Sequence, residues 1–580
     1  MTEETTMHTP THPSTTRLEF LTAVEALDGF RSGEFSPSDV LAAHWEQVDL
    51  VNRPQDGGIN ALSHEYRKAS IQQARQADDR YAQARSEGAP TPPLLGLAVA
   101  TKEKHAIAGK PVTQGLIAQT GIRADSDMPI IERIRAAGGI VHARTTTPEF
   151  SCASVTHSKL WGVTRNPWNT AAGPGGSSGG AGAALAAGLT TLATASDIGG
   201  STRIPAGFCG VVGYKAPYGR VPGAAPLSAD WYRGDGPMAR TVLDTALLAS
   251  VMSGQHASDH TSWGPQNSRK LIDIASSPKT DLRGLRIAFE PTLGGFPVDP
   301  DVAANTRNVI EALAAAGADI IEVRAQWDVE QVLTTCFTHF GQIMGNALSD
   351  AVNGDLDSLS PYAQRFVDIT ARAREASSLF DSIRMDLAMQ AEISRLLAGA
   401  DTLITPTSAC AMLPADGNFL DGITLNGTHY DNYMAAHMTM PFNTANRCPV
   451  LALPSGRAAC GVPTSVQIVG APLNEASVFR IGAAIEALLP PLGIAPSMQS
   501  RGRVPIKRGR HARRRACGPD SWYSPRRKPR RPQFRQRHAF ERTTNGPSTE
   551  GPFLELPQVT LRSLTFVSVH NLRVYRPVHP

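Results

Sequence analysis

The segment from Gly173 to Gly213 constrains this chain most: it is poor in charge and rich in Gly, Ser and Ala. It holds two clusters, Gly175-Gly-Ser-Ser-Gly-Gly180 and Asp197-Ile-Gly-Gly-Ser-Thr-Arg203. Between them, Ala181–Gly188 reads as a buried helix of small residues. On either side the pattern alternates between helix and strand. Pro129–Ala137 reads as a helix that ends in Gly138-Gly139, followed by a strand from Ile140, and Leu97–Ala100 reads as a short buried strand that leads to Lys102. Val302–Ala315 predicts a helix, Ile320-Ile-Glu-Val, Thr402-Leu-Ile-Thr and Ser465-Val-Gln-Ile-Val predict strands, and Glu475–Leu489 predicts a last helix. This alternation is the mark of α/β layering. Residues 17–90 read as a helical portion, with Ser36 as the cap of one helix.

The glycine clusters admit several chemistries. A phosphate-binding loop needs Lys followed by Ser or Thr at the helix start, and neither cluster supplies it. A dinucleotide loop or a GxSxG elbow needs a strand running into the turn, whereas turn formers and Gly173-Pro174 precede the first cluster. Cleavage of an amide by a serine hydroxyl needs a base and a cradle for the carbonyl oxygen. Glycines let the Ile198-Gly199-Gly200-Ser201 loop turn its N–H groups inward as an oxyanion hole. No histidine stands in a comparably organised setting. Lys102 ends an apolar strand, and a lysine in a dry site loses charge readily enough to serve as a base.

On these residues the chain resembles the amidase signature family, densely over residues 85–490. Gly96-Leu-Ala-Val-Ala-Thr-Lys102-Glu with Gly109, Thr113 and Gly115 is similar to the family's lysine motif. Asn166-Pro-Trp-Asn with the first cluster is similar to its glycine/serine motif, and Asp197 to Gly210 to its nucleophile motif, 24 residues separating Ser177 from Ser201. Tyr214–Arg220, Gly236–Arg240, Met440-Pro-Phe-Asn443 and Gln467-Ile-Val-Gly470 resemble later landmarks. Glu103 stands where the family usually has Asp, which keeps the carboxylate. The resemblance implies a single large domain over residues 17–490, a mixed β-sheet covered by helices on both faces. It implies Ser201 as nucleophile, Ser177 as relay serine after a cis peptide bond, Lys102 as general base, an acyl-enzyme, and no metal or cofactor. The product would be a carboxylic acid with ammonia or an amine.

Other residues carry two readings each. Arg203 would bind a substrate carboxylate or, the favoured reading, brace the loop through an ion pair, and Asp197 reads as ordering that loop rather than as an acid or base. Trp231 and Tyr232 would line an apolar substrate pocket or belong to ordinary packing, as would Phe337–Met344. Ser178 reads as a backbone-bonding neighbour of the relay serine.

Charge separates the chain into two parts. Residues 501–580 carry 19 Lys and Arg against 4 Asp and Glu, leaving 37 basic against 48 acidic groups in the rest. The basic extension, 491–580, is expected to be disordered and without selected function, like residues 1–16. Its arginine runs also fit a second class, a nucleic-acid-binding protein acting through the tail. Within the family the rival is the glutamine-hydrolysing subunit of a tRNA-dependent amidotransferase. None of that subunit's substrate signatures is recognised in 325–380, which favours a stand-alone amidase. The sequence has no run of eighteen apolar residues and no apolar segment near its start, and its seven cysteines form no metal-ligand pattern. A cytoplasmic protein with reduced thiols, a small-molecule amide substrate and no membrane partner is expected, with homo-oligomers open.

Overall fold

The computed structural model describes residues 17–499 apart from Asn267 and Asn418. Eleven strands form its main sheet. They are β1 Leu62–Glu65, β2 Ala98–Lys102, β3 Ile140–Thr145, β4 Leu192–Asp197, β5 Val212–Lys215, β6 Gly234–Ala239, β7 Arg286–Phe289, β8 Asp319–Glu322, β9 Thr402–Pro406, β10 Val450–Arg457 and β11 Pro463–Gly470. Their order across the sheet is β1-β3-β2-β4-β6-β5-β10-β11-β9-β7-β8. The pairs β2–β3, β2–β4, β7–β8 and β7–β9 are parallel and the others antiparallel, so the sheet is mixed.

Successive side chains along a strand point to opposite faces, and here both faces are apolar. Val99, Leu192, Ile404, Leu451 and Ile468 face one core, packed by the helices Pro129–Ala136, Val242–Met252, Pro300–Ala315 and Glu475–Leu488. Ala98, Ala193 and Ala452 face the other way, beneath the helices Pro37–Val51, Gly179–Ala186 and Arg203–Cys209. Farther along that second face, Ala288, Leu403, Val450 and Val469 meet the helices Val329–Gln342, Pro361–Ala376 and Leu379–Leu396. The protein is therefore an α/β fold, with helices over both faces of one large mixed sheet.

The small-residue helix Gly179–Ala186 is wholly buried. A side chain at Gly182 would reach within 2.9 Å of the Pro205 carbonyl and 3.0 Å of Cys209 Sγ. Bare helix surface here lets the two glycine-bearing segments touch. Ser36 caps its helix as expected, in a reciprocal pair with Asp39.

Two boundaries differ from the sequence reading. The helical portion over 17–90 also contains β1, an edge strand that pairs antiparallel with β3. Its four residues are too short and too polar for a period of two to show. The packed chain also runs past Pro490. Ala495 and Met498 are buried in the core beneath the Pro37–Val51 helix, and Arg17 donates to the Met498 carbonyl at 2.9 Å. Those few apolar residues are masked in sequence by the basic, proline-rich stretch after them. Residues 1–16 and the basic run from 501 lie outside the described residues. Among the described residues no helix is long and apolar enough to cross a membrane.

Candidate active site

Lys102 is the last residue of β2, and its side chain has no exposed surface. Its Nζ lies 2.6 Å from Ser177 Oγ, 2.9 Å from Ser196 Oγ and 3.0 Å from Ser178 Oγ. Thr194 Oγ1 accepts from the lysine's backbone N–H at 3.1 Å, fixing the end of the strand. Burial first, and then the charge of Lys104, hold the Lys102 pKa well below its ordinary value. The peptide between Gly176 and Ser177 is cis.

The hydroxyl hydrogens can be assigned by elimination. Ser178 Oγ donates to the Ser196 carbonyl and accepts the Ser196 N–H, both at 3.3 Å. Its single hydrogen is thereby used, so it receives an N–H from Lys102. A neutral amine has two hydrogens and one lone pair, which matches three hydroxyl neighbours, and Ser177 makes the shortest contact. Ser178 is thus both a backbone-bonding neighbour and a direct partner of the lysine. Sequence reasoning misses Ser196; its place two residues along β4 from Thr194, on the same face, is the only signal it carries.

The two clusters meet through the backbone, where Ser178 N–H donates to the Ser201 carbonyl at 3.2 Å. Ser201 keeps 7% of its surface exposed, while Lys102, Ser177 and Ser178 have none. The loop before it is held by Asp197, whose two oxygens accept from Gly200 N–H at 2.9 Å and Thr202 N–H at 3.2 Å. Gly200 has φ +122°, and a Cβ there would lie 2.0 Å from Thr439 Oγ1. The Gly200 N–H thus points at a carboxylate, which corrects its expected place in an oxyanion hole and leaves Ile198, Gly199 and Ser201 as candidates.

Arg203 forms a bidentate pair with Asp197, both contacts at 3.0 Å. Its other donors reach the Thr439 carbonyl at 2.9 Å, Gln467 Oε1 at 2.8 Å and Asn443 Oδ1 at 2.7 Å, and it is fully buried. The guanidinium holds the Asp197 carboxyl well below the usual carboxylate range, against the opposing effect of burial. No donor is left for a substrate carboxylate, so the substrate-binding reading of Arg203 gives way to bracing of the loop.

Tyr232 is also corrected. Tyr232 is 2% exposed, hydrogen-bonds Asp386 through its hydroxyl and stacks on His339 with ring centres 3.6 Å apart. Trp231 Nε1 donates to Asp386 at 3.0 Å. Both reach Asp386 on the Leu379–Leu396 helix and His339 on the Val329–Gln342 helix; Tyr232 is closed off there, whereas Trp231 stays partly exposed. Of the Phe337–Met344 stretch, Phe340 comes nearest the loop: a Cβ at Gly199 would lie 3.5 Å from its ring and 3.6 Å from Met440.

A dry lysine behind serine hydroxyls, next to a carboxylate-braced glycine loop, is the equipment of a hydrolase that cleaves amide C–N bonds. The family model for amidases matches residues 54–479, and the chain belongs to that family. It is 31% identical over 485 residues to an acylamidase of Rhodococcus erythropolis, covering 82% of this chain and 96% of the relative. It is 30% identical over 503 residues to the A subunit of the glutamyl-tRNA(Gln) amidotransferase of Chloroflexus aggregans (strain MD-66 / DSM 9485), covering 81% and 97%. Its fold resembles that of 6-aminohexanoate cyclic dimer hydrolase complexed with substrate, with TM-score 0.69, 28% identity and coverage of 83% and 100%.

Proposed function

We propose that this amidase is a stand-alone enzyme that cleaves a carboxylic acid amide through Ser201, with Ser177 and Lys102 relaying the proton. The observation that carries the reading is the 2.6 Å contact of a buried, pKa-lowered Lys102 with Ser177 Oγ. The lysine lone pair accepts the Ser177 proton as Ser177 accepts that of Ser201. Ser201 Oγ bonds to the amide carbon, and N–H groups of Ile198, Gly199 and Ser201 stabilise the oxyanion. The proton returns through Ser177 to the nitrogen, the C–N bond breaks, and amine or ammonia leaves an ester on Ser201. Water then attacks the ester, giving up a proton along the same relay; the C–Oγ bond breaks, the relay returns that proton to Ser201 Oγ, and the acid is released.

Exchanging Ser201 for Ala is expected to lower kcat/KM for aryl and aliphatic amides by at least about 1,000-fold. Lys102→Ala should do the same, and full activity in either variant would refute the relay. The likeness to a component of an amidotransferase supports a second reading, in which the ammonia is passed to a partner. Glutamine would then be the preferred amide, so an amide panel that includes glutamine separates the two.

A further inference from the structure

A cavity of about 270 Å³ opens beside β6, lined on its apolar side by Val112, Met128, Val221 and Leu227 and on its polar side by the cations Lys104 and Arg233 and the carboxylates Asp235 and Asp259. The two cations differ. Lys104 is paired with Asp235 at 3.3 Å, and Asp235 also takes His105 at 3.1 Å. Among the described residues the Arg233 side chain has no hydrogen-bond or ion-pair partner, and its Nε is buried without one. Asp230 and Asp259 do not fill that role. Asp230 Oδ1 is taken by His339 at 2.8 Å and by Tyr232 N–H at 3.1 Å, and its Oδ2 is buried with no hydrogen-bond partner, Arg233 included, while Asp259 accepts from Gly223 and Thr261. Neither forms an ion pair with Arg233.

The register of the sheet places this arginine next to the chemistry. In the antiparallel β4–β6 pair, Asp197 lies opposite Gly234 and Ser196 opposite Asp235. Arg233 is therefore one residue beyond the last pair, on the side where β4 continues into Ile198 and the glycine loop. Its charge is among those that depress the Lys102 pKa. A half-buried guanidinium with open donors at the end of an apolar cavity lacks an anion, and a carboxylate suits its planar fork.

We infer that Arg233 is the specificity residue for a carboxylate on the substrate, so that the preferred amides carry a carboxylate separated from the scissile bond by a short apolar body. This rests on the amidase reading above. The apolar wall takes the body, Arg233 takes the carboxylate, and Lys104 is left with Asp235.

The test compares 4-acetamidobenzoate with 4-acetamidotoluene, near-isosteric amides that differ in the carboxylate, on the full-length protein and its Arg233→Gln and Arg233→Lys variants. Turnover and calorimetric binding are both measured. The wild type is expected to favour the carboxylate in kcat/KM and in affinity. Arg233→Gln should cut that preference by about tenfold or more, mainly through KM, since a charge-assisted pair is lost. Arg233→Lys should restore part of it. Turnover of both amides without a carboxylate preference, or an equal loss for both in Arg233→Gln, would overturn the inference and leave the amidase reading standing. Arg233-dependent binding of the carboxylate without turnover of either amide would support the site and count against the catalytic reading.

Discussion

Lysine acts as a base only while its amine is unprotonated, and the surroundings of Lys102 bear on that state from two sides. Burial and the charge of Lys104 disfavour the ammonium, while Asp235 and Asp197 favour it. Because the base must be neutral, kcat/KM is expected to rise with pH through an ionisation well below that of a free lysine, and to be lost on acidification. Lys104→Met removes a positive neighbour while Asp235 and Asp197 still favour the ammonium, so the acid limb of the profile should move to higher pH. An unmoved or lowered limb would mean that Lys102 is not the group titrating. Gly200→Ala meets Thr439 and a backbone conformation that side chains rarely adopt, so it should lose most activity, whereas Gly199→Ala has ordinary contact distances and should retain the fold. Circular dichroism and turnover on both variants check this. Lys102, Ser177 and Ser201 stand out in sequence through motifs similar to those of the amidase family, and the structure sets Lys102 against Ser177. Ser196 does not, since one serine in a strand of small residues looks like any other until the fold sets it against the lysine.

At the scale of elements, the loop carrying Ser201 is held from the far end of the chain. Asn443 and Gln467, from the segment before β10 and from β11, supply acceptors to Arg203, and Asn443 also donates to Asp197 at 2.9 Å. Both stand in motifs that the sequence shows plainly, yet their role depends on the fold, which lays the Arg203–Cys209 helix after β4 against β10 and β11. Another joint is sensitive to pH. Glu486, on the Glu475–Leu488 helix, is an exposed residue whose carboxylate accepts the Val242 N–H at 2.9 Å, and the partial desolvation of that carboxylate raises its pKa. The folded carboxyl prefers its proton, so its contribution to stability is present below about pH 4.5 and lost as pH rises through about 7. Glu486→Gln keeps the acceptor without the charge, and should stabilise the protein by less than about 1 kcal/mol at pH 8, since solvent screens the exposed carboxylate, and by little at pH 4.5. Thermal unfolding at the two pH values measures this; equal effects would exclude the linkage. The C-terminal boundary belongs to the same scale. Truncation after Gln499 should leave thermal stability unchanged, whereas truncation after Pro490 exposes the site of Met498 and should cost about 2 kcal/mol or more.

For the molecule as a whole, the α/β class and most elements are legible because buried strands and amphipathic helices keep their periods. The short polar edge strand β1 and the packed segment after Pro490 are not, since each is recognisable only by what it packs against. The net charge of +4 carries little meaning for the enzyme, being the sum of an acidic body and a basic extension. The proposed reaction turns on one covalent event, the acylation of Ser201, and acid-quenched turnover of a slow aryl amide, analysed by peptide mass spectrometry, tests it most directly. The proposed mechanism predicts the acyl mass on the peptide that contains Ser201, absent in Ser201→Ala and strongly reduced in Lys102→Ala. An acyl group on Ser177 instead, or full turnover by Ser201→Ala, would contradict it.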